Sequence, residues 1–194
     1  MTTTRPVGRP PGPHEDTLAK ILPVALRLFL DEGGAALTPT RLHQETGVAR
    51  ATIYRNWPDA ADLIEVMLSR ATQPPPDDLF TGELHADLHA AAEFLVWRFT
   101  DRPARAFFGA CLDSARHNER VAAAAESFIA GILDPFRSVI TDAVERGELD
   151  GDVEQMVSEI AGPLILDHVV LGRTVTTARA RQIVDNVLSY STKS

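Results

Sequence analysis

The sequence is almost free of cysteine and has no long hydrophobic run. Cys111 is the only cysteine among the 194 residues, so an internal disulfide and a zinc site built from cysteines are excluded. No segment approaches the roughly 18 consecutive apolar residues that a membrane span needs. The first 16 residues, MTTTRPVGRPPGPHED, also lack the apolar stretch of a secretory signal. These absences predict a cytoplasmic protein without a membrane partner.

Positive charge is scarce and unevenly distributed. The formal net charge is −8, which argues against a protein that coats nucleic acid nonspecifically. Residues 1–57 nevertheless contain seven basic and five acidic residues, a balance of +2, so residues 58–194 carry −10. Any polyanion is therefore expected to bind at the N-terminal end of the chain.

Apolar residues recur at i, i+3 and i+4 between glycine and proline breaks, with almost no period-2 alternation, so the pattern predicts an all-α protein. Prolines at 74–76 cannot continue a helix and mark a boundary. We expect a flexible basic arm over 1–13, a first domain over 14–73 and a second over 80–194. The predicted helices cover residues 14–31, 39–46, 49–56, a segment capped by Asp59, then 83–100, 103–117, 119–146, 153–171 and 176–191.

Two short predicted helices flank Gly47 and form the ingredients of a helix-turn-helix unit. Leu42, Val48 and Ile53 are expected to fill its small core. The second short helix then presents Arg50, Ala51, Tyr54 and Arg55 on a face with nothing apolar to bury. Such a helix fits the major groove, where arginine pairs with guanine, a small methyl contacts thymine, and hydroxyl or guanidinium groups bind phosphate.

The segment LTPTRLHQETGVARATIYRNWPDAADLIEVM (37–67) resembles the TetR family of bacterial transcriptional regulators. The shared pattern is a threonine at the start of the first short helix, the Gly-Val turn, a Thr-aliphatic-Tyr core and a following Leu-rich helix. The resemblance implies that a ligand-binding and dimerising helical domain follows the DNA-binding one. It assigns Arg50 and Ala51 to base edges, and the DNA backbone to Thr38, Thr40, Thr52, Tyr54 and Asn56, with Arg55 of a type that also binds phosphate.

Three residues depart from the family pattern. His43 replaces the usual alanine between the two short helices, and must either face outward or widen that contact. Ala49 replaces the usual Ser or Thr cap, which weakens the cap by about 1 kcal/mol, and Ala60 stands where a phosphate-binding lysine is common. These departures keep open an alternative, a protein-interaction module on the same fold that has lost specific DNA binding.

The N-terminal arm has a motif of its own in RPVGRPPG (5–12). Gly8-Arg9-Pro10 resembles the core of an AT-hook, in which arginine lies in the narrow minor groove of A·T-rich DNA. Arg5 and Arg9 are therefore candidate DNA contacts. The alternative is a disordered tail.

The two last predicted helices carry apolar stripes, and Asp152 with Gln155 forms a capping pair before the first of them. The resemblance implies that two such helices per subunit build a four-helix interface across a twofold axis. The partner implied is thus a second copy of the chain. The predicted interface residues are Leu164, Ile165, Ile183, Val184, Val187 and Leu188.

Residues 83–146 are rich in aromatics, which are interpreted either as core or as contacts to a small apolar or aromatic effector. Asp167 and His168 lie within GPLILDHVVLG (162–172) and are either satisfied at a dimer interface or line a pocket. The nearby cations Arg98, Arg105 and His117 are expected to face solvent. The predicted pocket residues are Phe94, Trp97, Phe107, Phe108, Cys111, Phe128, Asp167 and His168.

The sequence contains few residue patterns that are typical of a catalytic or metal-binding site. His85 and His89 have the i, i+4 spacing of metal ligands, but no third ligand is evident, so neither a metal nor a cofactor is predicted. No nucleophile, base and orienter set and no phosphate loop is evident, which disfavours an enzyme. The sequence predicts a ligand-responsive repressor, released from a palindromic operator in double-stranded DNA by a small effector.

Overall fold

The computed structural model describes residues 15–71, 74–76, 78–100 and 102–191, and within these ranges every regular element is helical. This confirms the predicted all-α class. No described helix is both long and apolar enough to cross a membrane. The elements are α1 (Glu15–Glu32), a 3-10 turn (Gly34–Ala36), α2 (Pro39–Thr46), α3 (Arg50–Asn56), α4 (Ala60–Ala71), α5 (Leu84–Arg98), α6 (Arg102–Ala115), α7 (Glu119–Glu145), α8 (Val153–Ile165), a π turn (Leu166–Val170) and α9 (Thr177–Ser191).

The chain forms two compact units that divide between Met67 and Leu68, inside α4. The sequence places the boundary after residue 73 instead, where the prolines begin. The difference arises because the last turn of α4 is bonded to the second unit: the Arg98 guanidinium donates a 2.6 Å hydrogen bond to the Ala71 carbonyl. A long-range bond of this kind has no signature in local sequence.

Helix ends in the first unit follow from residues close in sequence. Thr38 caps α2 by accepting a hydrogen bond from the Arg41 backbone N–H, and Pro39 occupies the first helical position. Gly47 ends α2 with φ of 70°, a left-handed conformation that favours glycine. Asp59 and Asp62 cap the start of α4 reciprocally, since Asp59 accepts from the Ala61 N–H and Asp62 accepts from the Asp59 N–H. The predicted short helices and turn are therefore confirmed.

The core of the first unit combines one stripe of α1, single residues from α2 and α3, and Ala61, Leu63, Ile64 and Met67 of α4. Leu42 and Ile53 are fully buried, and Trp57 is buried at the corner that leads into α4. Val48 is only half-buried, so the turn contributes less to this core than predicted. The stripe of α1 consists of Leu18, Ile21, Ala25, Leu28 and Phe29.

The second unit is a bundle in which α5 packs against α7, α8 and α9, and α7 packs against α6 and α8. Every helix contributes residues at helical spacing to one core. Asp152 caps α8 by accepting from the Gln155 N–H, but the Gln155 side chain donates to Glu159, so the reciprocal bond of a capping box is not made. The helix predicted over 153–171 ends at Ile165 and continues as a π turn, where the Leu171 N–H donates to the Leu166 carbonyl.

The predicted dimer-interface residues require a correction. Five of them are at most 6% exposed in the single chain, because α8 and α9 pack against each other and against α5. Their apolar stripes therefore fill the protomer's own core, and only Ile165 is half-buried. The large apolar side chains exposed at this end are Leu166, Val170, Leu171 and Tyr190. The five buried residues are Leu164, Ile183, Val184, Val187 and Leu188.

Candidate nucleic-acid interface and second-unit cluster

Helix α3 separates its buried and exposed residues as the sequence predicts. Ile53 and the following Trp57 face inward, whereas Arg50, Ala51 and Arg55 are exposed and Tyr54 exposes 65% of its surface. A phenol ring that is exposed to this degree contributes little to the core. The outer face of α3 is therefore a polar, aromatic and cationic surface with no packing function in the first unit.

The ion pairs that the structure describes in the first unit do not involve the α3 face. Arg41 pairs with Glu32 at 2.9 Å and with Glu45 at 3.3 Å, and Arg27 pairs with Glu45 at 3.0 Å. Arg50 and Arg55, by contrast, form no ion pair with any residue that the structure describes. Two of the acids of this unit are thus engaged by the arginines of α1 and α2, and the charge of α3 remains available to an external anion.

The polar side chains around α3 differ in how many of their hydrogen-bonding groups are already used within the protein. Thr38 and Thr40 are exposed at the start of α2, and a hydroxyl that accepts a capping bond can still donate its proton. Thr52 is half-buried, and the Asn56 Nδ2 donates to the Thr52 carbonyl at 2.8 Å. One amide hydrogen of Asn56 is consequently used within α3, so this residue has less to offer a phosphate than the resemblance implies.

His43 stabilises the turn between α2 and α3. Its Nδ1 lies 2.8 Å from the Val48 carbonyl oxygen, and since a carbonyl only accepts, the ring must carry the Nδ1–H that donates. The Thr46 hydroxyl donates to the Leu42 carbonyl at 2.6 Å and accepts from the Val48 N–H at 3.2 Å. His43 is therefore a half-buried brace of the turn, a third possibility beside facing outward and widening the helix contact. Ala49 makes no side-chain cap, as predicted.

The candidate minor-groove residues Arg5 and Arg9, with the rest of the arm over 1–13, lie outside the described residues. Their predicted contacts stay predictions.

Aromatic residues of the second unit form a linked series. The Phe108 ring lies between Phe99, at 5.4 Å between centroids, and Phe128, at 5.8 Å. Phe107 and Cys111 on the same helix are also buried, and burial raises the pKa of the Cys111 thiol to about 12. We call Phe94, Phe99, Phe108 and Phe128 the aromatic cluster.

The structure corrects two expectations about residues next to the aromatic cluster, Trp97 and Arg98. Trp97 exposes 63% of its surface and stacks on Phe94 with centroids 5.5 Å apart, so it lies on the outside of α5 and lines no enclosed pocket. Arg98 is half-buried, whereas the sequence predicts that it faces solvent. Its guanidinium lies 5.8 Å from the Phe94 centroid and 5.9 Å from that of Phe128, and burial lowers its pKa. Sequence reasoning missed this residue because its partners come from three helices.

Asp167 and His168 bind the loop that follows the π turn. Asp167 pairs with Arg173 at 2.9 Å, and the His168 Nδ1 lies 3.0 Å from the Arg173 carbonyl oxygen, so the ring donates there. The His168 Nε2 is buried without a hydrogen-bond partner in the described structure. Asp167 is therefore occupied by a local ion pair, while His168 is enclosed in the second unit.

The two histidines with ligand-like spacing are not joined by further ligands in the described part of the chain. The His89 Nε2 lies 2.7 Å from the Asp185 carboxylate on α9. No group of three or more His, Cys, Asp or Glu side chains that could hold a metal ion occurs among the described residues. The pair of histidines thus contributes one contact between α5 and α9.

Residues 75–187 match the family described as tetracyclin repressor-like, C-terminal domain. The chain is also 28% identical over 177 residues to the DNA-binding transcriptional repressor TetR of Mycobacteroides abscessus, an alignment that covers 90% of this chain and 93% of the relative. It is 28% identical over 188 residues to an uncharacterised HTH-type transcriptional regulator, YdeS, of Bacillus subtilis, with 92% of this chain and 90% of the relative covered.

Solved structures show the same fold over nearly the whole chain. A TetR transcriptional regulator from Agrobacterium tumefaciens superposes with a TM-score of 0.73 at 19% identity, covering 92% of this chain and 96% of that one. The flavonoid-responsive regulator FrrA gives a TM-score of 0.73 at 20% identity, covering 91% and 95%. The likeness extends over both compact units of the chain.

Proposed function

Because this chain belongs to the TetR family of transcriptional regulators, which bind DNA and typically dimerise, we propose that it is a repressor whose α3 reads the major groove. The observation that carries this proposal is the outer face of α3. There, Arg50 and Arg55 are exposed and without an ion pair to a described residue, whereas Ile53 of the same helix is fully buried. The Mycobacteroides relative is named as a transcriptional repressor, which supports the direction of regulation.

The exposed groups divide into base-reading and backbone-binding ones. Arg50 would donate two hydrogen bonds to a guanine, and the Ala51 methyl would contact a thymine methyl. The Tyr54 and Thr52 hydroxyls and the Arg55 guanidinium would bind phosphates and set the register. Thr38 and Thr40, at the start of α2, would add further hydrogen bonds to phosphates. Asn56 would donate its remaining amide hydrogen. Arg5 and Arg9 would add minor-groove contacts if the arm follows the DNA.

A homodimer would place two α3 helices on one face of the duplex. The operator would then be a near-palindrome whose half-sites are a whole number of turns apart, about 34 Å for each turn. The twofold contact would use residues on the outward sides of α8, the π turn and α9, where Ile165 is half-buried and Leu166, Val170, Leu171 and Tyr190 are exposed. The buried apolar side chains of α9 would pack beneath this surface.

The effector would be a small apolar or aromatic molecule that binds in the second unit. Support comes from the aromatic cluster, Phe107 and Cys111, which are apolar and largely buried in the second unit, where His168 is a buried polar group. The FrrA structure is described as that of a flavonoid-responsive regulator, and it shares the fold with this chain. Effector binding would lower operator affinity by the differential binding energy of two states, typically about 1–3 kcal/mol.

Selection of DNA from a random pool by the purified full chain tests the proposal. A near-palindromic sequence is expected to be enriched at physiological salt, and the double variant Arg50→Ala, Arg55→Ala is expected to enrich none while keeping the helical circular dichroism of the wild type. Failure of the wild type to enrich any sequence would favour the rival function, a protein-interaction module that has lost specific DNA binding. The uncapped start of α3 at Ala49 is the observation that favours this rival.

A further inference from the structure

Helix α3 is short and begins without a side-chain cap. It comprises the seven residues Arg50–Asn56, and Ala49 before it has no side-chain oxygen that could accept a hydrogen bond from the first turn. The Ala49 carbonyl accepts from the Thr52 and Ile53 N–H groups at 2.9 and 3.1 Å. A helix of this length is marginally stable by itself, so its position must be fixed by groups outside it.

Two side chains of α2 hold the residue that leads into α3. The Nδ1–H of His43 donates to the Val48 carbonyl oxygen at 2.8 Å. The Thr46 hydroxyl accepts from the Val48 N–H at 3.2 Å and donates to the Leu42 carbonyl at 2.6 Å. Both peptide groups that flank Val48 are therefore bonded to α2. Since a peptide group is planar, these bonds fix the path of the backbone as far as Ala49.

The direction of α3 then depends on few further torsion angles. After the peptide between Val48 and Ala49, only the φ and ψ of Ala49 precede the first helical residue, Arg50. Ile53 and Trp57 are buried and anchor the later part of this segment in the core. The first turn, with the residue that we propose to read a base, depends instead on the backbone that His43 and Thr46 hold.

We propose that His43 is a positioning residue for α3, and that its bond to Val48 takes the place of the side-chain cap that α3 lacks. A cap at position 49 ties the first turn of a helix to the residue before it. His43 ties the same turn to α2, one residue earlier. This inference rests on the proposed function, which it deepens by naming the residue that orients the DNA-reading helix. The absence of a cap at Ala49 is then compensated within the first unit.

The bond to Val48 requires a donor that is attached to Cγ of residue 43. Histidine Nδ1 is attached to Cγ, and so is the amide Nδ2 of asparagine, so His43→Asn can retain the bond. Glutamine carries its amide nitrogen one bond further from the backbone, and alanine carries no donor. Alanine also has the highest helix propensity, so His43→Ala removes the bond without weakening α2.

Amide hydrogen exchange in the full-length protein without DNA tests the positioning itself. In His43→Ala, the Thr52 and Ile53 amides are expected to exchange about fivefold faster, the size of effect that loss of one neutral hydrogen bond produces. His43→Asn and the double variant His43→Ala, Ala49→Ser are expected to stay within twofold of the wild type, because the first keeps the donor and the second restores a cap. Unchanged exchange in His43→Ala would overturn the proposal.

Operator binding measures the consequence for recognition. His43→Ala is expected to lower affinity for the selected operator about fivefold. Affinity for unrelated duplex DNA is expected to stay within twofold, and the salt slope to stay unchanged, because no phosphate contact is lost. All variants are compared at a temperature where circular dichroism shows the helix content of the wild type. His85→Ala, at an exposed histidine of α5, is the matched control and is expected to bind as the wild type does.

Ala49→Ser in the wild-type background completes a double-variant cycle. If the cap and the His43 bond fix the same turn, serine is expected to raise operator affinity about fivefold in His43→Ala and less than twofold in the wild type. Equal gains in the two backgrounds would show that serine acts independently of His43, which would refute the compensation.

Two results of the binding measurements also contradict the role of His43. One is an operator affinity of His43→Ala within twofold of the wild type, and the other is an equal loss of affinity for unrelated DNA. If His43→Ala does not fold, His43→Asn is compared with His43→Gln, and equal operator affinities of these two variants overturn the proposal. A wild type that enriches no DNA overturns the proposed function, whereas the exchange measurement tests the positioning by His43 without DNA.

Discussion

The arginines of α3 and the ion-paired arginines of the second unit have opposite surroundings. On α3, Arg50 and Arg55 are exposed and have no ion pair with a described residue. In the second unit, Arg137 pairs with Glu154 and Asp134, Arg173 with Asp167, and Arg181 with Glu93. Residues 58–194 carry a net charge of −10, so acidic partners are more abundant there than in residues 1–57. The contrast teaches that ion-pair partners, more than residue type, decide whether an arginine is available for an external anion.

The two tryptophans differ in the same way. Trp57 in the first unit is 3% exposed, and Trp97 in the second is 63% exposed. Both lie at or near the C-terminal end of a helix, so their burial is decided by which elements pack against them. Each contrast between the units can be tested by matched substitutions.

The largest effect is expected for Trp57→Ala. Loss of a buried indole removes apolar contacts and leaves a cavity, so the free energy of unfolding of the first unit should fall by about 3–5 kcal/mol. Trp97→Ala, its control in the second unit, should change the free energy of unfolding by less than about 1 kcal/mol because this ring is mostly solvated. Urea denaturation followed by circular dichroism measures both. Similar losses for the two variants would contradict the assigned burial.

Asp87→Ala should give the next largest effect. The buried Asp87 carboxylate accepts hydrogen bonds from the Thr81 N–H, the Thr81 hydroxyl and the Gly82 N–H. Without it these donors lose their acceptor, which should cost about 1–3 kcal/mol of stability in the second unit. Asp113→Ala, at an exposed position of α6, should cost almost nothing. Chemical denaturation at pH 7 distinguishes the two variants.

The same carboxylate makes the second unit sensitive to acid. Burial by itself raises the pKa of Asp87, but hydrogen bonds from Thr81 and Gly82 and the charge of Arg146 outweigh it, so the pKa lies below its ordinary value. Its stabilising contribution is therefore fully present above the unfolded-state pKa, about 3.9, and is lost as the pH falls through the lower folded-state pKa. Unfolding measured between pH 5 and pH 2 should show this loss in the wild type and a smaller one in Asp87→Ala.

Substitutions on α3 should affect DNA binding without affecting stability. Arg50→Ala is expected to weaken binding to the selected operator by about 1–3 kcal/mol and to relax base preference at one position. Arg55→Ala should weaken binding to all sequences alike and reduce the salt slope by about one. Fluorescence anisotropy at several salt concentrations separates these effects. Arg137→Ala is the control from the second unit, and a comparable loss there would refute the assignment of the interface to α3.

The smallest effect is expected at Cys111, which is fully buried. Burial raises the pKa of its thiol to about 12, so almost no thiolate is present at pH 8 and modification by a thiol reagent should require unfolding of the second unit. Spectrophotometric titration with such a reagent should show no reaction in native buffer and one equivalent in denaturant. If Trp57→Ala destabilises only the first unit, it should leave this rate unchanged.

Much of the first unit could be predicted from sequence because its determinants are local. The Thr38 cap, the left-handed Gly47 and the Asp59 cap act over two to four residues, and α2 begins and ends where the pattern predicts. The exposed face of α3 follows from the position of Ile53 on a short helix. The DNA contacts themselves stay predictions, as do the arm and the effector.

Tertiary packing decided the features that depend on distant neighbours. Periodicity identified the apolar stripe of α9, but only the structure shows that Val184 and Leu188 are covered by the protomer itself and so cannot lie on its surface. The bridge from Arg98 to Ala71 spans 27 residues, and no local pattern records it. The sequence alone determined the helices, their caps and the separation of charge between the two ends of the chain, because these depend on neighbouring residues. Packing determined which apolar helix faces are buried in the core and which arginines already have a partner within the protein. Both depend on contacts between distant helices.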